Sequence, residues 1–253
     1  MDKNLDERMK DYEKATCSPL LINTPIILRL DGRAFHTLTR GIDKPFDEKF
    51  ITFMNAIAID LCDNEIMNAR LAYLQSDEIS ILIYNKIFSD VWFGNDVQKM
   101  VSIASARASS FATDYHNNKY GVFGRFKTPI IMFDARVFII PEKDICNYFI
   151  WRQKDWERNS IQMLARKYYS DKQLYKKNYD DMQEMIFQKK DNWNNLSIYL
   201  RRGRCVIPMN ERVKVKNKYF EGEVDRKVWK VDAEIPIFTK DRGYIESYLD
   251  LGE

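Results

Sequence analysis

The sequence predicts an α+β fold, an antiparallel sheet with helices on one face followed by a mixed helical and β extension. Three observations carry this. An unbroken apolar run at residues 26–30 stops at Asp31-Gly32, as a strand buried on both faces does. Two further apolar runs, residues 71–74 and 79–84, flank the polar tip Gln75-Ser76-Asp77-Glu78 and read as a β-hairpin. Helical periodicity fills the gaps on either side of that hairpin, giving the order β-α-β-β-α-β, a ferredoxin-like split βαβ unit.

In chain order, residues 4–16 carry Leu5, Met9 and Tyr12 at helical spacing and read as a packing helix. Pro25 opens the first strand, where no ladder donor is needed. Residues 46–61 place Phe50, Phe53, Met54, Ile57 and Leu61 on one helical face. Small residues such as Ala104 and Ala108 in the helix at 97–115 let it lie close on the sheet. A strand opening at Pro129 continues through 137–140. Pro141 marks the boundary between a core at 1–140 and an extension at 141–253, although both can form one compact domain. The extension reads as one or two helices over 141–169, with Phe149, Trp156, Ile161 and Leu164 as packing candidates. Then follow a helix at 180–190, a strand or hairpin at 198–207 and an alternating strand at 227–231.

Forty basic and thirty-seven acidic residues leave a net +3, so any nucleic-acid contact rests on local patches. Cys17, Cys62, Cys146 and Cys205 are too scattered for a zinc pattern and read as reduced, buried thiols of a cytoplasmic protein. His36 and His116 are the two histidines, which argues against an imidazole-rich metal site. No apolar run is long enough to span a bilayer.

A carboxylate at the end of a buried strand stands at the usual place for a ligand site, and Gly32 lets backbone approach a phosphate. Asp77 or Glu78 at the hairpin tip can come close to Asp31 if the strands pair. Clustered carboxylates repel unless a cation lies between them, and phosphate-bound Mg²⁺ is the usual one. Taken singly, each acid also suits a solvated turn.

Four segments together point further: Arg29 to His36, Gln75 to Glu78, Phe133 to Val137, and Tyr148 to Gln153. In this order they resemble the tRNA-histidine guanylyltransferase family, over about Asp31 to Gly203. The resemblance implies a polymerase-palm-like core binding two Mg²⁺ ions through Asp31, Asp77 and the Gly32 carbonyl, with Glu78 as a further acid. It places ATP, GTP or other nucleoside triphosphates on Gly32, Arg33, Ala34, Phe35, His36, Lys44, Ser76, Asp77 and Lys99. It assigns tRNA contacts to Arg136, Arg152, Asn159, Arg201 and Arg202, and implies a homotetramer. Arg125 and Lys127 add basic charge outside any motif. Trp151 reads as a core or interface aromatic rather than a base-stacking platform.

Two departures from the family matter. Gly94-Asn95-Asp96 stands where the family has an arginine pair. Glu157-Arg158-Asn159-Ser160 stands where eukaryotic members have His-Ile-Asn-Asn, a run linked to adding guanosine opposite a non-complementary base. The chain is thus similar to the bacterial and archaeal branch, which adds nucleotides 3′ to 5′ by Watson–Crick templating and repairs the 5′ end of tRNA. A non-templated guanylyltransferase, a palm-fold nucleotide cyclase and a non-catalytic tRNA-binding protein are the alternatives.

Overall fold

The computed structural model describes residues 4–63, 67–84, 91–120, 130–216 and 221–249. Six strands are described: β1 (Ile26–Gly32), β2 (Ala69–Gln75), β3 (Glu78–Ile83), β4 (Phe133–Ile139), β5 (Arg204–Lys216) and β6 (Glu221–Asp232). The helices are α1 (Leu5–Lys14), α2 (Phe35–Leu38), α3 (Glu48–Cys62), α4 (Val97–Tyr120), α5 (Ile145–Arg166), α6 (Asp171–Leu174), α7 (Tyr179–Gln188), α8 (Ile198–Arg202) and α9 (Gly243–Glu246). The order β1-α3-β2-β3-α4-β4 is the expected split βαβ unit.

All six strands form one antiparallel sheet in the order β4-β1-β3-β2-β5-β6. Strand alternation explains why β1 is apolar throughout. Ile26, Leu28 and Leu30 pack on one face with Phe53, Met54 and Ile57 of α3 and Met100, Ala104 and Ala108 of α4. Ile27 joins Tyr73 and Leu82 on the other face, beneath Ile145 and Phe149 of α5 and Phe238 and Ile245. The core helices thus cover one face as expected, and the extension closes the second. A third cluster, with Leu164, Met182, Ile186 and Trp193, joins α5, α6 and α7.

Because β5 pairs with β2 through Leu74↔Arg204, Tyr73↔Cys205 and Ala72↔Val206, the sheet runs without a break across residue 141. Beyond Val206, β5 pairs with β6 alone, as a long two-stranded arm.

Several elements differ from expectation. Leu5, Met9 and Tyr12 are exposed, and α1 buries no residue; it is held by an Asn4–Glu7 capping box and an Asp6–Lys10 pair. Residues 198–202 form α8 rather than a strand, because β5 begins only after the turn at Gly203 (φ +75°). One continuous helix, α5, occupies most of 141–169. Trp151 is half exposed, so it is not a core aromatic, and Cys17 is exposed while the other three thiols are buried; all four are free. The strand expected from Pro129 starts at Phe133, and Pro129, Arg125 and Lys127 lie outside the described residues. Among the described residues no helix is long and apolar enough to cross a membrane.

Candidate active site

The end of β1 and the β2–β3 turn meet. Gln75 pairs with Glu78, leaving Ser76 and Asp77 as a two-residue turn with Ser76 at φ +46°. The Asp77 carbonyl accepts the Gly32 N–H at 3.2 Å, which fixes the turn against the residue after Asp31. Burial raises the Asp77 carboxyl above the ordinary carboxylate value, and the charges of Asp31 and Glu78 add to the rise. Hydrogen bonds from its own backbone and Ser76 oppose it. Asp31 and Asp77 therefore share one electrostatic site.

Register places a second row beside them. Asp31 lies opposite Glu78 on β3 and opposite Asp134 on β4, so three acids stand abreast on the α5 face. Two residues along, Arg29 lies opposite Arg136 and Ser80. Like charges facing one another across strands are unfavourable, and the arginine row offsets them. Arg29 Nη2 reaches Glu78 Oε2 at 2.6 Å and Asp31 Oδ2 at 3.4 Å. Arg136 pairs with Asp134 at 3.5 Å.

Glu78 and Arg152 are occupied by each other, contrary to the expectation of a free acid and an RNA contact. The Glu78 carboxylate is buried, held by Arg29 and bidentately by Arg152, with Ser80 Oγ donating to Oε1 at 3.2 Å. Four donor contacts from protein leave it positioning its neighbours rather than serving as a free acid. Arg152 is buried and bonds Asp155 Oδ2 at 3.1 Å besides Glu78, so its charge is spent on two protein carboxylates rather than offered to an RNA phosphate.

Gly32 is required on steric grounds: a Cβ there would lie 2.5 Å from the Phe35 ring. That ring is buried edge-on against Phe133 and Phe50, with centroids 5.1 and 6.1 Å away. Two of the amides expected to cradle phosphate are already used, the Gly32 N–H by Asp77 and the Arg33 N–H by Met132. Ala34 adopts the left-handed conformation (φ +57°), and the N–H groups of Ala34, Phe35 and His36 meet no acceptor among the described residues. The open cradle thus starts at Ala34 rather than Gly32. The Arg33 and His36 side chains are exposed beside it.

Next to the turn is an open cleft lined by Ser76, Lys44, Thr39, Tyr199 and Arg204. An adjoining apolar hollow shares Thr39, Asp43 and Phe50 with it. Lys99 is not part of this site. It sits in the first turn of α4 near Asp96 and Cys17. Ser109, which accepts the Phe133 N–H at the site end of the sheet, lies ten residues further along, about 15 Å of helix rise.

Of the remaining RNA candidates, Arg136 is exposed on the edge strand β4. Arg201 is half-buried over the Trp193 ring and donates to the Leu196 carbonyl, whereas Arg202 donates to that of Ile235. Asn159 is half-buried on α5. Sequence reasoning missed Arg29, Asp134 and Arg204 as site residues. The first two lay within recognised segments, and only strand register reveals their place.

Two carboxylates suit Mg²⁺, which is content with one or two protein carboxylates when phosphates and water complete its shell. Among the described residues no group of three or more His, Cys, Asp or Glu gathers that could hold a metal ion. Burial chiefly, with the Asp31 and Glu78 charges adding, raises the Asp77 carboxyl, and a cation beside it would favour the ionised form.

The family model described as tRNAHis guanylyltransferase matches residues 6–141. A solved bacterial tRNA(His) guanylyltransferase-like protein in complex with ATP is similar at TM-score 0.84 and 38% identity, covering 98% of this chain and 100% of that one. A structure of such a protein in complex with GTP gives 0.79 and 35% over the same shares. The probable tRNA(His) guanylyltransferase of Dictyostelium discoideum is 29% identical over 215 residues, 79% of this chain and 81% of that relative.

Proposed function

The chain belongs to the tRNAHis guanylyltransferase family and is a nucleotidyltransferase, and from that premise we propose that it adds nucleotides 3′ to 5′ onto the 5′ end of tRNA, following the opposing template base. The reading rests above all on the Asp31–Asp77 meeting, two carboxylates tied through the Gly32–Asp77 backbone bond.

In this reading, an oxygen of a 5′-monophosphate end first bonds to the α-phosphorus of ATP, and pyrophosphate leaves as the adenylylated end forms. The 3′-hydroxyl oxygen of the incoming nucleotide then bonds to that 5′ phosphorus, AMP leaves, and the hydroxyl proton passes to solvent. An end already bearing a triphosphate loses pyrophosphate instead. Asp31 and Asp77 would hold two Mg²⁺ ions, with the Gly32 carbonyl as a further ligand. Bound there, the ions supply charge neutralisation for the phosphates and a more acidic attacking hydroxyl.

The chain's own groups orient the reactants. The Ala34, Phe35 and His36 amides present donors to the phosphates, and Phe35, packed between Phe133 and Phe50, holds that backbone in place. Lys44 and Ser76 face the nucleotide from the cleft. Glu78, clamped by Arg152, keeps Arg29 beside Asp31. Arg136, Asn159, Arg201 and Arg202 are retained as tRNA contacts, and a homotetramer is the proposed assembly.

Templating is favoured by the residues at 157–160. Ser160 is buried and accepts Trp193 Nε1–H at 2.8 Å, a packing role, while Glu157 and Arg158 are exposed. Incorporation of labelled nucleotides into tRNA, with Asp31→Ala and Asp77→Ala alongside, tests the assignment. Both variants are expected to fold and lose turnover; near-normal activity in either would sink it.

A further inference from the structure

Arg204 opens β5 just after Gly203, and folding takes its guanidinium out of water, with 3% of the residue exposed. Its Nε donates to Asn55 Oδ1 and its Nη2 to the Ile51 carbonyl at 3.3 Å, both on α3. Both acceptors are neutral. Among the described residues no carboxylate pairs with it. Glu48, the one carboxylate whose charge acts on it, accepts the Tyr199 hydroxyl at 2.7 Å. Burial draws the Arg204 pKa down to about 10. A buried cation without a counter-charge is costly to hold.

The same residue lines the cleft that carries Ser76 and Lys44. Asp47, also on that cleft, has both oxygens committed, Oδ1 to the Phe50 N–H and Oδ2 to the Asp43 N–H. We infer that Arg204, with Lys44 and Ser76 beside it, forms a phosphate subsite whose counter-charge arrives with the ligand. It deepens, and rests on, the nucleotidyl-transfer reading of the adjoining Asp77. The planar guanidinium suits a phosphate oxygen pair, and its two neutral acceptors hold it in place without neutralising it. The phosphate belongs either to a nucleoside triphosphate or to the 5′ end of RNA.

Tripolyphosphate binding to the full chain without metal, measured calorimetrically, tests this. The unaltered protein is expected to bind saturably, Arg204→Gln at least tenfold more weakly, and Arg204→Lys between the two. Equal affinity in Arg204→Gln overturns the subsite, leaving Arg204 as a cross-link from β5 to α3. Should Arg204→Gln fail to fold, the Arg204 Nε–H resonance of the unaltered protein decides instead: a saturable shift with tripolyphosphate supports the subsite, an unmoved resonance overturns it. ATP and a 5′-monophosphorylated acceptor-stem RNA serve as competitors. Displacement by either supports the subsite and identifies the phosphate's source, whereas displacement by neither overturns it. Turnover by Asp31→Ala would refute the catalytic reading alone, since tripolyphosphate binding at Arg204 is read without catalysis.

Discussion

The Arg152 guanidinium grips the Glu78 carboxylate with two bonds, Nε to Oε1 at 2.8 Å and Nη2 to Oε2 at 2.6 Å, and both groups are buried. The pair links α5 to the strand that faces Asp31. Arg29 extends it on one side, and Asp155 and Arg158 on the other, in an alternating chain of charge.

Removing one member strands a buried charge. Arg152→Met is expected to destabilise the fold by about 3–5 kcal/mol in urea unfolding, because Glu78 then keeps Arg29 as its one cationic partner among the described residues. Adding Glu78→Gln should restore part of the loss. Strictly additive effects in the double variant would show that the two groups do not depend on each other.

Gly32→Ala tests the close approach of Phe35. The added methyl meets a ring already packed against Phe133 and Phe50, so the loop must shift. A cost of about 1–3 kcal/mol is expected, together with weaker nucleotide binding, read by thermal melting and ATP titration. Unchanged ATP affinity would separate this loop from the nucleotide.

Asp191 gives the third cluster a pH dependence. The Tyr168 hydroxyl, 2.5 Å away, is the main cause that holds its carboxyl below the usual range. A depressed folded pKa adds stability above the unfolded value, about 3.9, and that increment is lost as pH falls through the folded value. Tyr168→Phe should therefore melt earlier than the unaltered protein at neutral pH, with the gap closing below about pH 4. A gap independent of pH contradicts this.

Thiol labelling follows burial. Cys17 is the exposed thiol, yet its hydrogen bond with Asp96 raises its pKa, and burial raises those of Cys62, Cys146 and Cys205. Alkylation of the native protein should modify Cys17 first and speed up in Asp96→Asn. Faster labelling at Cys146 or Cys205 would show that the second sheet face is open, and at Cys62 that the first is.

The split βαβ core was legible because each strand and helix carried its own period: β1 reads as buried on both faces because α3–α4 and α5 do cover both. Asp31 and Asp77 were legible because strand ends and tight turns are marked locally by Asp-Gly and Ser-Asp. Partners set by register were not. Nothing in the linear order pairs Arg152 with Glu78, 74 positions away, so a buried clamp passed for an RNA contact. Likewise Lys99 matched a motif position, while the length of α4 carries it to the far end of the sheet. Apolar spacing in α1 and alternation at 198–202 described possible elements, and tertiary context decided against burial in one and a strand in the other.

The decisive measurement is labelled-nucleotide addition to a tRNA lacking its first 5′ nucleotide, beside full-length tRNA-histidine, with each of the four bases in turn at the opposing template position. Templated 3′-to-5′ addition predicts that the nucleotide added changes with the template base and that the truncated tRNA is preferred. Guanosine added whatever the template base would contradict it and mark a non-templated tRNA-histidine guanylyltransferase.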